Sequence, residues 1–475
     1  MSQTITIDPV TRLEGHGKIT IHLNDEGEVE NANFHVTQVR GFEKFSEGRP
    51  FYEMPSLMAR ICGICPVSHL IASAKACEAI MSVRIPHTAA QLRRMLNLAQ
   101  MVQSHALSFF YLSSPDLLLG MESDPQSRHI FGVVGAKPEL GRAGIALRRF
   151  GQHIIEVLGN KRIHPGWVIP GGVTEPLASA KRDEILGMIP EAYANIELAL
   201  SWYKQIAETF APEIEVFANF ASLYMGLINE DESVEFTDGA LRLIDARGEI
   251  VADGITATQF SEVIGEAVEP YSYTKFAYYK PLGYPEGSYR VGPLARLNIA
   301  KSMGTPMADG ELSLFKQISD DGPVQSSFFY HYARLIDILY GIEKIEMILS
   351  DPLILDKHVR ATAGVNRLEG AGQAEAPRGT LHHHYKVDEN GLIRWANLVI
   401  ATGQNNNAMN KGVLQAAKHY VKKGKFTEGI LNRVEAVVRT FDPCLSCSTH
   451  AFGQMPLAIS LISAEGEVVD RLVRS

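Results

Sequence analysis

The sequence predicts an α+β fold, mainly helical, in which a central bundle of long helices is flanked by peripheral β-sheet and hairpin regions. Three observations predict it: four long stretches with apolar residues at helical spacing, strand-like alternation over the first 40 residues, and hairpin turn signals further on. At the start, Lys18, Thr20 and His22 alternate with Ile19, Ile21 and Leu23. Asn24-Asp25-Glu26-Gly27 then makes a turn, and the extended pattern resumes from Val29 to Val39. The first helical stretch runs from about Ala89 to Leu112, with Leu92, Met95, Leu96, Ala99, Val102, Ala106 and Phe109 on one side. The second spans about Gly141 to Leu158 and the third about Lys181 to Phe210. The fourth spans about Ser326 to Leu349, carrying Phe329, Leu335, Ile336, Leu339, Ile342 and Ile345. Helices of this length usually pack along one another. Leu241–Ile244 and Glu249–Val251 flank a turn at Asp245–Gly248, and a second hairpin fits His384 to Ile393 around Asn390-Gly391. With no repeat, low-complexity tract or linker, residues 1–450 read as one domain.

The chain has 475 residues, 45% hydrophobic and 21% charged, which is ordinary globular composition. A net charge of −9 argues against nucleic-acid binding, which needs a basic surplus. No apolar run approaches the roughly 20 residues that span a bilayer. Met1 to Ile7 lacks the basic region and long apolar core of a signal peptide, so a cytoplasmic protein is expected. Walker and Gly-x-Gly-x-x-Gly motifs are both absent, so the chain is not expected to bind NAD itself.

Four of the five cysteines form two Cys-x-x-Cys pairs, Cys62/Cys65 and Cys444/Cys447, near opposite ends of the chain. In a reducing compartment such pairs read as metal or redox sites, not as a disulfide framework. By spacing alone they read first as a closed Cys₄ zinc site. Zinc sites normally fold a small local module, however, and thiolates also suit other soft or redox metals. Cys77 stands alone in a helical context and reads as a small buried hydrophobe.

The flanks decide between these readings. Arg60-Ile61-Cys62-Gly63-Ile64-Cys65-Pro66-Val67-Ser68-His69, together with Asp442-Pro443-Cys444-Leu445-Ser446-Cys447-Ser448-Thr449-His450, resembles the nickel–iron hydrogenase large subunit. Arg12-Leu13-Glu14-Gly15-His16, Arg40-Gly41-Phe42-Glu43, Glu375-Ala376-Pro377-Arg378-Gly379 and Ala401-Thr402-Gly403-Gln404-Asn405 resemble further segments of that family, in family order. Each motif is weak alone; six in order are specific. The second cysteine motif and Ser326-Ser327-Phe328-Phe329-Tyr330-His331-Tyr332-Ala333-Arg334 are most similar to the bidirectional NAD-linked branch.

The resemblance implies that all four cysteines bind nickel. Cys65 and Cys447 would bridge to an iron carrying carbon monoxide and cyanide, while Cys62 and Cys444 would be terminal. Splitting hydrogen heterolytically needs a base beside the metal. A terminal sulfur and then Glu14 would take the proton, although an isolated glutamate would read as a surface or capping residue. Arg378 would hang over the open metal position, held by Asp116 and Asp442, and its permanently charged guanidinium suits that role. Taken singly, Arg378 reads as half of a structural ion pair and Asp116, after Ser113-Ser114-Pro115, as a helix cap. His69, four residues after Cys65, would reach a bridging sulfur, where a lone histidine reads as a satisfied core residue. Glu43 and His450 resemble ligands of a magnesium ion, with a backbone carbonyl near Ala401. The run His382-His383-His384 reads as a loop and strand start with no role.

One spare cysteine cannot build an iron–sulfur cluster, which takes about four cysteine ligands. The resemblance therefore implies an iron–sulfur small subunit and, in the NAD-linked branch, a flavin and iron–sulfur diaphorase. It further implies that residues 451–475 are a maturation extension, cut between His450 and Ala451 by a dedicated protease after nickel chaperones load the site. Alternating residues around Ala464-Glu465-Gly466 predict a hairpin in that extension, and Cys444 and Cys447 are expected to stay accessible, and the nickel site incomplete, while it is attached. The alternatives are a coenzyme-F420-linked hydrogenase, a hydrogen-sensing regulatory subunit, the quinone-site subunit of respiratory complex I (which lacks the four cysteines) and a non-catalytic Cys₄ zinc scaffold.

Overall fold

The opening alternation forms β1 (Gln3–Ile7), β2 (Gly17–Leu23) and β3 (Val29–Val36), an antiparallel sheet in that order, with Ile7 opposite Ile19 and Gly17 opposite Val36. Ile19, Ile21 and Leu23 are buried while Lys18, Thr20 and His22 are partly exposed, as period-two alternation requires. The computed structural model describes residues 3–423, 425–450, 457–463 and 467–474.

The helices that follow are α1 (Pro66–Met81), α2 (His87–Ala106), α3 (Pro138–Gly159), α4 (Ile189–Ala207) and α5 (Tyr330–Ser350). α2 and α4 each pack against both α3 and α5, which gives the expected bundle. Two stretches differ from the sequence expectation, and a proline explains each. α2 runs into a π-helical turn at Leu107–Ser113 before a short helix, Ser114–Leu119, that carries Asp116. Pro115 offers no N–H to the Tyr111 carbonyl and its ring crowds that carbonyl, so the turn widens. Ser114 Oγ donates to the Phe109 carbonyl at 2.8 Å instead. The third stretch is broken into Ser179–Leu186 and α4, because Pro190 is tolerated in a first helical turn and not in a helix interior.

In mid-chain, β4 (Leu223–Ile228), β5 (Ala240–Ile244) and β6 (Ile250–Ile255) pair antiparallel, with Tyr289–Arg290 added parallel to β4. Asp245 Oδ1 accepts from the amides of Arg247 and Glu249 and closes the expected β5–β6 turn. A third sheet holds β7 (Glu369–Ala376), β8 (Gly379–Val387) and β9 (Ile393–Val399). The hairpin around Asn390-Gly391 joins β8 to β9. The histidine run corrects the loop reading: His382 and His383 lie inside β8 and are fully buried, His384 nearly so. Both faces of β8 are covered, so polar side chains sit inside without any alternation to reveal a strand.

α1 lies directly on β7. A Cβ on Gly372 would stand 2.2 Å from the Ala72 carbonyl oxygen, and one on Gly370 would stand 2.3 Å from that of Ala76. Only glycine permits this approach. Moving along β7 toward Ala376 therefore moves back along α1 toward Cys65. The chain then forms α6 (Ala401–Tyr420), packed on β3, followed by α7 (Glu428–Phe441) and the short α8 (Leu445–Ser448). Past His450, β10 (Leu457–Ile462) and β11 (Val468–Arg474) pair antiparallel, the hairpin expected of the extension; its turn, Ala464-Glu465-Gly466, is outside the described residues. Leu461, Ile462, Val468, Val469 and Leu472 are each more than half exposed. No helix among the described residues is long and apolar enough to cross a membrane.

Candidate metal centre

The two cysteine pairs reach one point from two turns. Cys62 follows a 3₁₀ turn, Ala59–Ile61, and Cys65 stands immediately before Pro66, the first residue of α1. The amides of Ile64 and Cys65 approach Cys62 Sγ at 3.2 and 3.4 Å. On the other side, α7 ends at Asp442, whose left-handed backbone (φ 54°) turns the chain through Pro443 into Cys444. The Cys444 amide donates to Thr402 Oγ1 at 3.0 Å. The backbone of Glu14 pairs with this loop, its carbonyl accepting from the Leu445 amide at 3.0 Å.

Cys62 and Cys444 Sγ are 3.3 Å apart, Cys65 and Cys447 3.4 Å, and Cys444 and Cys447 3.1 Å. All four sulfurs lie within 4.8 Å of one another and all four residues are buried. None is at the disulfide distance of about 2.05 Å. Hydrogen bonds from Cys444, Cys447 and Cys65 hold the Cys62 thiol well below its ordinary pKa. Burial first, then the other three sulfurs, holds Cys447 well above its own. For Cys444 the bond to Cys447 lowers the pKa, but those to Cys62 and Cys65, with burial, outweigh it. One thiolate is thus stabilised at the expense of its neighbours, and four buried thiolates need a metal cation between them. The donor set fits a soft or redox metal centre at bonds of about 2.3 Å.

Around the sulfurs, Glu14 Oε2 lies 3.1 Å from Cys444 Sγ and accepts from the Ser446 amide at 3.1 Å; Ser446 Oγ donates to Glu14 Oε1. Glu14 is half-buried, at the boundary between the sulfurs and solvent. Arg378, at the β7–β8 turn, is buried and donates to the Asp442 carbonyl at 2.5 Å, to Asp442 Oδ1 at 3.1 Å and to Ser104 Oγ at 3.3 Å. Burial alone would lower its pKa; the charges of Asp442, Cys444, Cys65 and Cys62 reverse this and hold it well above the ordinary value. Burial raises the Asp442 pKa further than Arg378 and Arg334 lower it. His69 is buried in the first turns of α1, and burial lowers its pKa to about 4.

Asp116 corrects the sequence expectation. It does not pair with Arg378. It pairs with Arg12 at 2.5 Å, with Arg439 Nε at 3.1 Å and accepts from Asn432 Nδ2 at 3.0 Å. Burial raises its pKa, but Arg439 and Arg12 outweigh that and the net shift is downward. The arginine two residues before Glu14 is thereby fixed, so Asp116 serves the Glu14 segment. The expectation that the extension keeps Cys444 and Cys447 accessible and the site incomplete also differs: both are 1% exposed, and the four sulfurs are gathered in the chain that carries residues 457–474. The pairing with Glu14 and the bond to Thr402 place Cys444 without help from a new terminus. Three residues were missed. Arg40 donates to the Ile61 carbonyl at 2.6 Å and its amide to the Thr449 carbonyl at 2.7 Å, tying the two cysteine segments together. Thr402 and Ser104 are the others; Arg40 and Thr402 stood in recognised segments, whereas Ser104 carried no signal.

Glu43 and His450 also come together: Glu43 Oε1 accepts from His450 Nδ1 at 2.9 Å and from the Leu398 amide at 2.8 Å, with Lys275 Nζ at 3.9 Å. Burial raises the Glu43 pKa, but His450 and Lys275 bring it below the ordinary value. A cavity of about 540 Å³ beside Glu43 is lined by Glu266, Lys275 and Asn397 as well. Cys77 is buried in α1 and donates to the Phe51 carbonyl, as a packed core thiol.

A family model described as nickel-dependent hydrogenase matches residues 40–123 and 228–450. The chain belongs to that family. A second model, described as HoxL-like, matches residues 4–39. The chain is 40% identical to the NAD-reducing hydrogenase HoxS subunit beta of Cupriavidus necator, with 100% of each chain covered. It is 41% identical to a chain of the F420-non-reducing hydrogenase vhc of Methanococcus voltae, over 97% of this chain and 98% of that one. In structure it is similar to an NAD+-reducing [NiFe]-hydrogenase in the H2-reduced state, at a TM-score of 0.91 and 42% identity, over 94% and 99% of the two chains. The fold is that of a nickel–iron hydrogenase large subunit, and the chain is an oxidoreductase acting on hydrogen.

Proposed function

We propose that this subunit catalyses reversible heterolytic cleavage of H2 in an NAD-linked bidirectional hydrogenase. The observation that carries the reading is the gathering of four buried sulfurs from both ends of the chain, with a half-buried carboxylate on one of them and a buried guanidinium held on Asp442, two residues before Cys444. Cys62, Cys65, Cys444 and Cys447 would hold nickel, with Cys65 and Cys447 shared with an iron carrying carbon monoxide and cyanide. When bound, that centre supplies the splitting of H2 and takes up its two electrons. The chain's own part is to move the proton and to set the field. Cys444 Sγ receives the proton and passes it to Glu14 Oε2, 3.1 Å away, whose other side faces solvent. Arg378, fixed in orientation by Asp442 and Ser104, places a positive charge where negative charge builds up on the thiolates. Arg12, Asp116 and Arg439 hold the Glu14 segment. Glu43 and His450 would be two donors of a magnesium ion whose remaining positions water would fill. We assign residues 1–450 to the mature subunit and residues 451–475 to an extension removed by a maturation protease after nickel chaperones act. The exposed apolar hairpin β10–β11 suits recognition of the unprocessed form.

The electrons would leave through an iron–sulfur small subunit to a flavin-containing diaphorase in the cytoplasm. The NAD-reducing relatives in sequence and structure support this branch over an F420-linked one. The test is hydrogen-dependent NAD reduction by the complex purified through a tag on this subunit, and by this chain alone. The complex reduces NAD and the isolated chain does not; NAD reduction by the isolated chain would refute the partner assignment.

A further inference from the structure

The segment Ser326 to Arg334, which the hydrogen chemistry above does not use, leads into α5, and that helix reaches both halves of the Arg378–Asp442 pair. Tyr330, Arg334 and Asp337 are spaced by four and three residues, so they share one face of α5. All three are fully buried. Arg334 Nη2 donates to the Thr440 carbonyl at 2.6 Å. Thr440 Oγ1 donates to Ser327 Oγ at 2.8 Å, and the Tyr330 ring lies 5.1 Å from that of Phe441. The last turn of α7, from which Asp442 and then Cys444 follow, is therefore seated on α5. The final carbonyls of a helix have no partner within it, so a buried one needs a donor from elsewhere. Arg334 supplies the donor and a positive charge, which suits a helix C-terminus. Burial lowers the Arg334 pKa to about 10, and Asp442 is the foremost charge opposing that.

The Arg378 half is reached through Arg296, a fully buried residue of the short helix Pro293–Ile299. Its Nη2 donates to Asp337 Oδ2 at 2.6 Å, and His105 Nε2 lies 3.2 Å from the same oxygen. The rest of the guanidinium holds the strand end that precedes Arg378. Nη1 donates to Glu375 Oε2 at 2.7 Å and to the Ala376 carbonyl at 3.2 Å, and Nη2 reaches the Pro377 carbonyl at 3.3 Å. The Pro377 carbonyl belongs to the planar peptide that begins Arg378, so its direction sets that of the Arg378 amide. On the far side, a Cβ on Gly292 would stand 2.6 Å from the Arg378 carbonyl oxygen. The neighbouring Val291 carbonyl accepts from Tyr330 Oη at 2.9 Å. Both peptide planes of Arg378 are thus fixed by groups that rest on α5. The cluster sets three cations, Arg296, Arg334 and Arg378, among three carboxylates, Asp337, Glu375 and Asp442, the balance that burial of charge requires.

We propose that Arg296, Arg334 and Asp337 are positioning residues, with α5 the common support on which the Arg378 guanidinium is registered against the Asp442 carboxylate. This rests on the reading that Arg378 serves the hydrogen chemistry of a nickel–iron centre. Arg378 and Asp442 come from segments 64 residues apart and bond directly to each other, so neither fixes the pair in space. One helix that grips the carbonyls just before each of them does. A misplacement of about 1 Å can cost about 10²-fold in rate, which is why such a support matters to turnover although it touches neither substrate nor sulfur.

The experiment uses the processed complex and compares wild type with Arg296→Lys and Arg334→Lys, each alone and combined with Arg378→Lys. Lysine keeps the charge, which protects the fold, and loses the planar fork. Nickel and iron content is measured first, then deuterium exchange at the amides of residues 376–381 and 440–446, then turnover at equal nickel content. Arg296→Lys should retain both metals, speed exchange in 376–381 and lose about 10-fold or more in turnover. Arg334→Lys should do the same with its exchange change in 440–446. Asp337→Asn, which weakens the hold on Arg296, should follow Arg296→Lys with a smaller change. In the Arg378→Lys background neither lysine variant should lower turnover further, since both act through Arg378. Equal losses in the two backgrounds would overturn the proposal, and so would wild-type exchange and turnover in the metal-loaded single variants. Loss of both metals from all of them would do so too, by making the cluster a folding element. A wild-type complex without nickel would instead sink the metal-centre reading, and exchange in that protein would still decide whether Arg296 and Arg334 fix the two segments.

Discussion

Replacing Glu14 by glutamine tests the proton route at one atom. Glu14 Oε2 is 3.1 Å from Cys444 Sγ, within hydrogen-bond reach of a thiol. Glutamine keeps the length and shape of the side chain, and its amide oxygen can still accept from the Ser446 amide, 3.1 Å from Oε2 in the native chain. The backbone pairing with the Cys444 loop does not involve the side chain. Metal content and fold should therefore survive. What disappears is the capacity to take a proton and release it. A positioned acid–base group contributes about 10²- to 10⁴-fold, which is about 3 to 5 kcal/mol of barrier. Hydrogen uptake with an artificial electron acceptor should fall by that factor, with nickel and iron content unchanged and a larger solvent isotope effect. The Glu14→Asp protein should lie between the two, since its carboxylate titrates but stops one methylene short. A metal-loaded Glu14→Gln protein that turns over at the wild-type rate would refute the reasoning, and protons would have to leave by another path.

Arg378→Lys should retain the metals yet lose about 10²-fold or more in turnover, because a point charge cannot reproduce the planar fork on the Asp442 carbonyl, Asp442 Oδ1 and Ser104 Oγ; steady-state rates at equal nickel content check this. Asp116→Asn should lower stability by about 3 to 5 kcal/mol, since Arg12 and Arg439 lose a buried charge partner, as read from denaturant unfolding. Because the folded Asp116 pKa is depressed, its contribution is complete above the ordinary aspartate value of about 3.9 and is lost as pH falls from there through the folded value; the gap between wild type and Asp116→Asn should close over that acid range and stay constant near neutrality. Intact-mass analysis of active enzyme should find a subunit ending at His450, and an active species ending at Ser475 would overturn the maturation proposal.

The cysteines and their flanks were legible because Cys-x-x-Cys is a local signal: two sulfurs on one turn need no knowledge of the fold. The long helices were legible by apolar period, and their ends were not, because Pro115 and Pro190 act on carbonyls four residues back that the period does not weigh. Asp116 was recognised as functional but given the wrong arginine. Its partners Arg12 and Arg439 are 104 and 323 residues away, so only the packed chain could choose between three candidate cations. Arg40 and Thr402 lay inside segments already singled out; what they bond to, a carbonyl and an amide in distant loops, leaves no mark on composition. The histidines of β8 were misread because a strand covered on both faces loses its alternation.

The central claim is that four thiolates from opposite ends of one chain hold a nickel–iron centre. Elemental analysis of the processed subunit, alongside its Cys447→Ser variant, tests it most directly. The account predicts nickel and iron in equal amounts in the wild type, and a variant that has lost the centre together with both hydrogen uptake and evolution. Zinc alone in the wild type, or full activity in Cys447→Ser, would contradict it.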